Sequence, residues 1–135
     1  MEDDRDVREA NEAFYQAFRD RDLAAMQELW AKDIEVSCVH PGWDVVFGRE
    51  EVLDSWRRIL ANPGSPRLMA SAVRVQRSAG IAVVTCHEGE AGTVPGIVAT
   101  NVFVREHGRW RMLSHHAGPL ASSPVRPPAE TRVLN

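Results

Sequence analysis

The sequence predicts an α+β fold: a strongly curved, mixed but mainly antiparallel sheet wrapped as a cone-shaped barrel around three helices from its first half, with a central pocket. Two observations predict the order of elements. Apolar residues recur at three- and four-residue spacing up to about residue 30 and again over 49–60, while from residue 68 the period is two and stays two to residue 117. Helices on one face of an antiparallel sheet are the stable way to bury both patterns.

Residues 5–20 read as the first helix, because Val7, Ala10, Phe14, Ala17 and Phe18 share one face with charges opposite. Asp22 is the expected N-cap of a second helix, LAAMQELW, with Leu23, Met26, Leu29 and Trp30 inward. The period then switches to two: Ile34, Val36, Cys38 and His40 share a face, and Pro41-Gly42 suits a type II turn before the short strand DVVF. Gly48 ends that strand. REEVLDSWRRIL follows as a third helix, with acids in its first turn and Val52, Leu53, Trp56, Ile59 and Leu60 as its apolar stripe. After the break ANPGSPR come the strands LMASAVRVQRS and IAVVTCHEGE, then IVATNVFVRE and RWRMLSHHA, the last two joined by a His107-Gly108 turn.

The 135 residues divide into a domain at 1–118 and a Pro-rich extended or disordered tail at 119–135. The tail is a conceivable contact with a partner enzyme. Net charge is −3 and the basic residues are scattered, so no stripe suits a nucleic acid. Of the 16 basic residues only Lys32 is lysine, which points to a GC-rich, bacterial genome. No apolar run is long enough to span a bilayer. The acidic opening MEDDRDVREANEAF does not read as a secretory signal, so the expected location is the cytoplasm. Cys38 and Cys86 have no metal-type spacing and sit in apolar strands, where free cysteines behave as small buried hydrophobes.

The turn explains Pro41 and Gly42 but not His40 or Trp43, which it places as neighbours on the apolar face. His40 is thus either a pocket-lining imidazole or one satisfied by a backbone carbonyl. Alternation along WRMLSHHAG puts Trp110, Met112, Ser114 and His116 inward and His115 outward, unless a one-residue slip reverses them. Asn101 then points inward opposite Ser114 and needs a hydrogen-bonding partner, from a ligand or from its neighbours. Glu88 shares a face with Ala82, Val84 and Cys86. It is either a carboxylate against aromatic walls with a raised pKa, or a solvated strand end. Asp33 reads as part of a surface turn. Tyr15, Trp30, Trp43, Trp56 and Phe103 are candidates to line an apolar site, against the simpler reading of aromatics as core. A zinc site from His40, His116 and Glu88 would need three separate strands without local ligand spacing, so no metal and no cofactor is expected.

The stretches NEAFYQAFRDRDLAAMQELWAKDIEV, CVHPGW, GREEVLDSW and TNVFVREHGRWRMLSHHAG, in this order over residues 8–118, resemble the SnoaL-like branch of the nuclear-transport-factor-2-like superfamily. The resemblance implies a cone-shaped fold around a pocket and a homodimer through the outer sheet face. It also implies a range of functions, from isomerases, dehydratases, cyclases and hydrolases to non-catalytic binding and assembly domains. The functional expectation is a domain that binds a small apolar or aromatic molecule. As an enzyme it would move protons without a cofactor, with His40, His116 and Glu88 as catalytic candidates and Asn101 holding a carbonyl. The alternative is a binding or assembly module whose pocket is filled by its own side chains.

Overall fold

A computed structural model describes residues 3–121. Its element order is α1 (Arg5–Asp20), α2 (Leu23–Leu29), β1 (Ser37–Val39), β2 (Val46–Phe47), α3 (Arg49–Ala61), β3 (Leu68–Ser78), β4 (Ile81–Glu90), β5 (Ile97–Glu106) and β6 (Arg109–Pro119). Six strands form one sheet in the order β2-β1-β6-β5-β4-β3. Every pairing is antiparallel except β1 with β6. The expected barrel does not close, because β2 and β3 remain edges, and the helices cover the open side. Helix α1 packs on β3, β4 and β6, α2 on β6, and α3 on β1 and β2.

Local chemistry sets the joints. The Asp22 carboxylate accepts the Ala25 N–H at 3.0 Å and starts α2. Arg49, at the start of α3, donates to the carbonyls of Gln27, Trp30 and Ala31, which ties two helices together and fixes where Trp30 enters the core. Trp43 N–H donates to His40 O at 2.9 Å, and Gly42 has φ +84°, the left-handed value that the third position of a type II turn requires. The paired part of β1 and β2 is short, with Cys38 opposite Val46, so the turn belongs to a longer loop than a two-residue hairpin. His107 and Gly108 both have positive φ, as a two-residue hairpin turn of type I′ demands.

One irregularity decides the site. Val102 pairs with Ser114 but Phe103 pairs with Met112, so Leu113 is an extra residue on β6. A bulge of this kind reverses the inward set beyond it. Before it Met112 faces in; after it His115 and Ala117 do. Ser114 and His116 go to the outer face.

The Pro-rich tail was expected from residue 119. Pro119 still ends β6, and Leu120 N–H donates to Gly96 O at 2.9 Å. Residues 122–135 lie outside the described residues. No helix among those described is long and apolar enough to cross a membrane.

The loop from β4 to β5 folds back on Gly89, where an added Cβ would stand 2.8 Å from Pro95 Cα. We expect Gly89→Ala to cost about 1–3 kcal/mol by overpacking. Gly118→Ala, with nothing within 4 Å, should stay within about 0.5 kcal/mol of wild type in urea denaturation. Equal losses in the two variants would show that the close approach is not the cause.

Candidate functional site

The inner sheet face carries a row of buried polar side chains. Glu88 on β4, Asn101 on β5 and His115 on β6 are each 2 % exposed or less, and Tyr15 and Asn11 reach them from α1. Tyr15 donates to Glu88 Oε2 at 2.5 Å and lies 3.3 Å from Cys86 Sγ. The Asn101 amide donates to Tyr15 Oη at 3.2 Å and to Asn11 Oδ1 at 2.8 Å. Its carbonyl oxygen lies 2.6 Å from His115 Nδ1. The row runs without a gap from β4 to β6.

His40 lies beyond that row, at the end of β1. Its Nε2 is 2.9 Å from Ser55 Oγ on α3, and its sulfur neighbour is Cys38. Trp43 and Trp56 stand edge-on to its ring, at 4.8 and 4.7 Å between centroids. The His115 ring is 6.4 Å away. Trp56 also touches Phe14, Phe18 and His115, so one indole joins both imidazoles to the core.

Burial sets the electrostatics. It pushes His115 down to about 3, helped by its neighbours His40 and His116. It pushes His40 down to about 4, helped by the charge of Arg58. Both rings are therefore neutral at pH 7. Glu88 moves up, because desolvation outweighs the hydrogen bond from Tyr15. Tyr15 moves up through desolvation and then through the Glu88 and Cys86 charges beside it. The Cys38 and Cys86 thiols are free, buried and raised for the same first reason.

His40, Glu88, Tyr15 and Asn101 thus come together on the inner side, and Phe103, Trp30 and Trp56 line the same core. Trp43 sits at its edge, 40 % exposed, with the Arg58 guanidinium 5.6 Å from its ring centre. The inward placement of His116 is corrected: the bulge at Leu113 turns it out, and His115 takes the inner position. His40, His116 and Glu88 are accordingly not brought to one place. Asn101 faces His115, not Ser114. Asp33 is exposed and pairs with His107 at 2.7 Å.

Asn11 and Ser55 were missed. Asn11 falls four residues after Val7 and three before Phe14, which is a polar residue on an apolar stripe. Ser55, three after Val52, carries the same signal on α3. The indole N–H groups of Trp30 and Trp56 are buried with no hydrogen-bond partner among the described residues. No group of three His, Cys, Asp or Glu among those residues is placed to hold a metal ion.

Residues 7–122 match the family model of a SnoaL-like domain. A candidate dehydratase of the NTF2-like family from Streptomyces avermitilis superimposes with a TM-score of 0.78 and 39% identity, over 87% of this chain and 96% of that one. A candidate calcium/calmodulin-dependent protein kinase type II association domain from Thiobacillus denitrificans gives 0.73 and 40%, over 82% and 92%. The F-box protein SKIP8 of Arabidopsis thaliana is 31% identical over 107 residues, or 79% of this chain. The chain spans about half the length of that curated relative (46%).

Proposed function

Because the chain belongs to the SnoaL-like family, we propose that it binds a small, largely apolar organic molecule on its inner sheet face and moves a proton on it without a cofactor. The observation that carries this reading is the continuous row Glu88, Tyr15, Asn101 and His115. Buried polar groups contribute little net stability, and apolar replacements of similar shape are often neutral or better. A core built only for stability gains nothing from such a row. The unpaired indole N–H groups of Trp30 and Trp56 add two buried donors that a ligand oxygen would satisfy. In the reaction, neutral His40 is the base. On binding, Tyr15 would turn its proton from Glu88, and the Asn101 amide one of its own from Asn11 or Tyr15, to the oxygen on which negative charge develops. Burial raises the pKa of both the Glu88 carboxyl and the Tyr15 phenol, which suits them to that work. Isomerisation, dehydration, aldol-type cyclisation and water addition all fit this equipment.

A second reading has its own support. Trp30, Trp56, Tyr15, Phe14 and Phe103 are wholly buried and fill the inner face themselves. A groove of about 520 Å³ lies instead on the outer face, along Val98, Thr100, Val102, Ser114 and His116. In that version the chain is a homodimeric assembly module that pairs through the outer sheet. Titration with a panel of apolar ketones and alcohols, followed by tryptophan fluorescence, separates the two. Saturable quenching that Asn101→Ala weakens at least about tenfold supports the first reading, the size expected when a buried hydrogen bond is lost. No quenching, in a chain that sediments as a dimer, supports the second.

A further inference from the structure

Each of the two buried imidazoles is tied by one nitrogen to an oxygen whose role is fixed. Ser55 has a single hydroxyl proton, and it goes to the Val52 carbonyl at 2.6 Å, which can only accept. The Ser55 oxygen therefore meets His40 Nε2, at 2.9 Å, as an acceptor, and that nitrogen carries the ring proton. Across the core, the Tyr15 proton goes to Glu88, so the phenol oxygen accepts from the Asn101 amide. The amide's other end, its carbonyl oxygen, faces His115 Nδ1 at 2.6 Å, and that nitrogen must donate.

We infer that His40 and His115 hold opposite tautomers, and that the two bare nitrogens, Nδ1 of His40 and Nε2 of His115, make the site select ligands that carry a hydroxyl donor. The tautomers follow from the protein alone; the ligand preference rests on the small-molecule reading above. The Cys38 sulfur lies 3.8 Å from His40 Nδ1 and 3.6 Å from Nε2, a weak partner that a hydroxyl on Nδ1 displaces at small cost. The Asn101 contact is the one hydrogen bond the His115 ring makes among the described residues. Burial keeps both rings unprotonated at neutral pH, so neither bare nitrogen is converted into a donor. A substrate hydroxyl is also the group from which a neutral imidazole removes a proton, so recognition and chemistry fall on the same atom.

Ser55 is on this account a positioning residue: it touches no reacting atom and acts by holding the proton on His40 Nε2. Nitrogen-15 spectra of the labelled protein at pH 7 should show His40 protonated at Nε2 and His115 at Nδ1. In Ser55→Ala the His40 Nε2 proton loses its acceptor and should exchange with water too fast to be seen, and Ser55→Thr should restore it. His115 protonated at Nε2, the form free histidine favours, or a His40 spectrum that Ser55→Ala leaves unchanged, overturns the assignment. For the ligand, the probes are 4-tert-butylcyclohexanol and its methyl ether, followed by tryptophan quenching. The alcohol should bind about tenfold more tightly, the value of one good hydrogen bond. Equal affinities overturn the donor preference while the tautomers stand. Binding of neither probe overturns the small-molecule reading, and the donor preference with it.

Discussion

Lowering the pH from 7 to 5 should destabilise this fold by about 4 kcal/mol through two residues, His40 and His115, at about 2 kcal/mol each. Both are at most 3 % exposed, and their folded-state values are pushed down to about 4 and about 3, against about 6.5 in an unfolded chain. Between those limits the unfolded chain binds protons that the folded one refuses. The stability these neutral rings allow is therefore fully present above the unfolded value and is lost as pH falls. Glu88 works in the opposite sense. Its folded value is raised, so its carboxylate form weakens the fold as pH rises above the unfolded value, and acid relieves that cost. The net slope is the histidine loss less the Glu88 gain, and the single variants separate the two. Urea denaturation at pH 7 and pH 5 should show His115→Gln losing about 2 kcal/mol less than wild type over that range. Glu88→Gln should show a steeper loss than wild type, because the opposing group is gone. A Glu88→Gln stability that does not change between the two pH values would mean that the rings are solvated, and the interior described here would be wrong.

How much of this arrangement the sequence discloses depends on the range of the interaction that fixes each part. Helix α1 can be read to the residue, because the Val7–Phe18 stripe is local and the helix is capped at Arg21, which takes a left-handed φ of 53°. The turn at Pro41-Gly42 and the I′ turn at His107-Gly108 are legible for the same reason: their backbone angles are written into two residues each. The inward face of β6 is not local. Alternation from Trp110 and Met112 correctly gives their side, yet it fails at His115 because Leu113 bulges. Nothing in the run WRMLSHHA, which reaches Ala117 with neither glycine nor proline to mark an irregularity, announces that bulge. Its cause is tertiary. β6 pairs with β5 on one side and with β1 on the other, and beyond the bulge Cys38 and His115 become neighbours while Ser37 and Ser114 share a 3.0 Å hydrogen bond outside. The Glu88 environment was one of two sequence-level options, and what decides it is Tyr15, 73 positions away in the chain. Asn101 raised the right question, a buried amide in need of partners, and its partners come from α1 and β6. Of the row on the inner face, Glu88, Tyr15 and Asn101 were legible as candidates and His115 was not, and their connection is created by the packing of α1 across the sheet.

Trp56→Ala should cost about 3–5 kcal/mol, the most damaging single truncation in the domain, while Trp43→Ala should cost less than about 1 kcal/mol. The two indoles lie at similar distances on the same imidazole, so the difference isolates burial from contact. Trp56 is fully buried and holds Phe14, Phe18, His40 and His115 together; without it four ring contacts end at a void. Trp43 is half-exposed, on a turn set by Pro41 and Gly42, with the Arg58 guanidinium 5.6 Å from its ring centre. Its removal should nonetheless change access, because the Trp43 ring covers the solvent side of a His40 that is only 3 % exposed. Modification of His40 by diethyl pyrocarbonate should therefore accelerate about tenfold or more in Trp43→Ala, with the melting temperature nearly unchanged; a tenfold rate corresponds to about 1.4 kcal/mol less opening work. If both variants lose stability alike, Trp43 belongs to the core and the filled-interior reading gains. Should Trp43→Ala stay folded with His40 no more reactive than before, the path to the inner face does not run past this turn, and a ligand must enter from another side of the sheet. Acceleration with retained stability would make Trp43 the movable cover of the site, since a side chain that contributes little to folding can swing aside at a cost within reach of ligand binding.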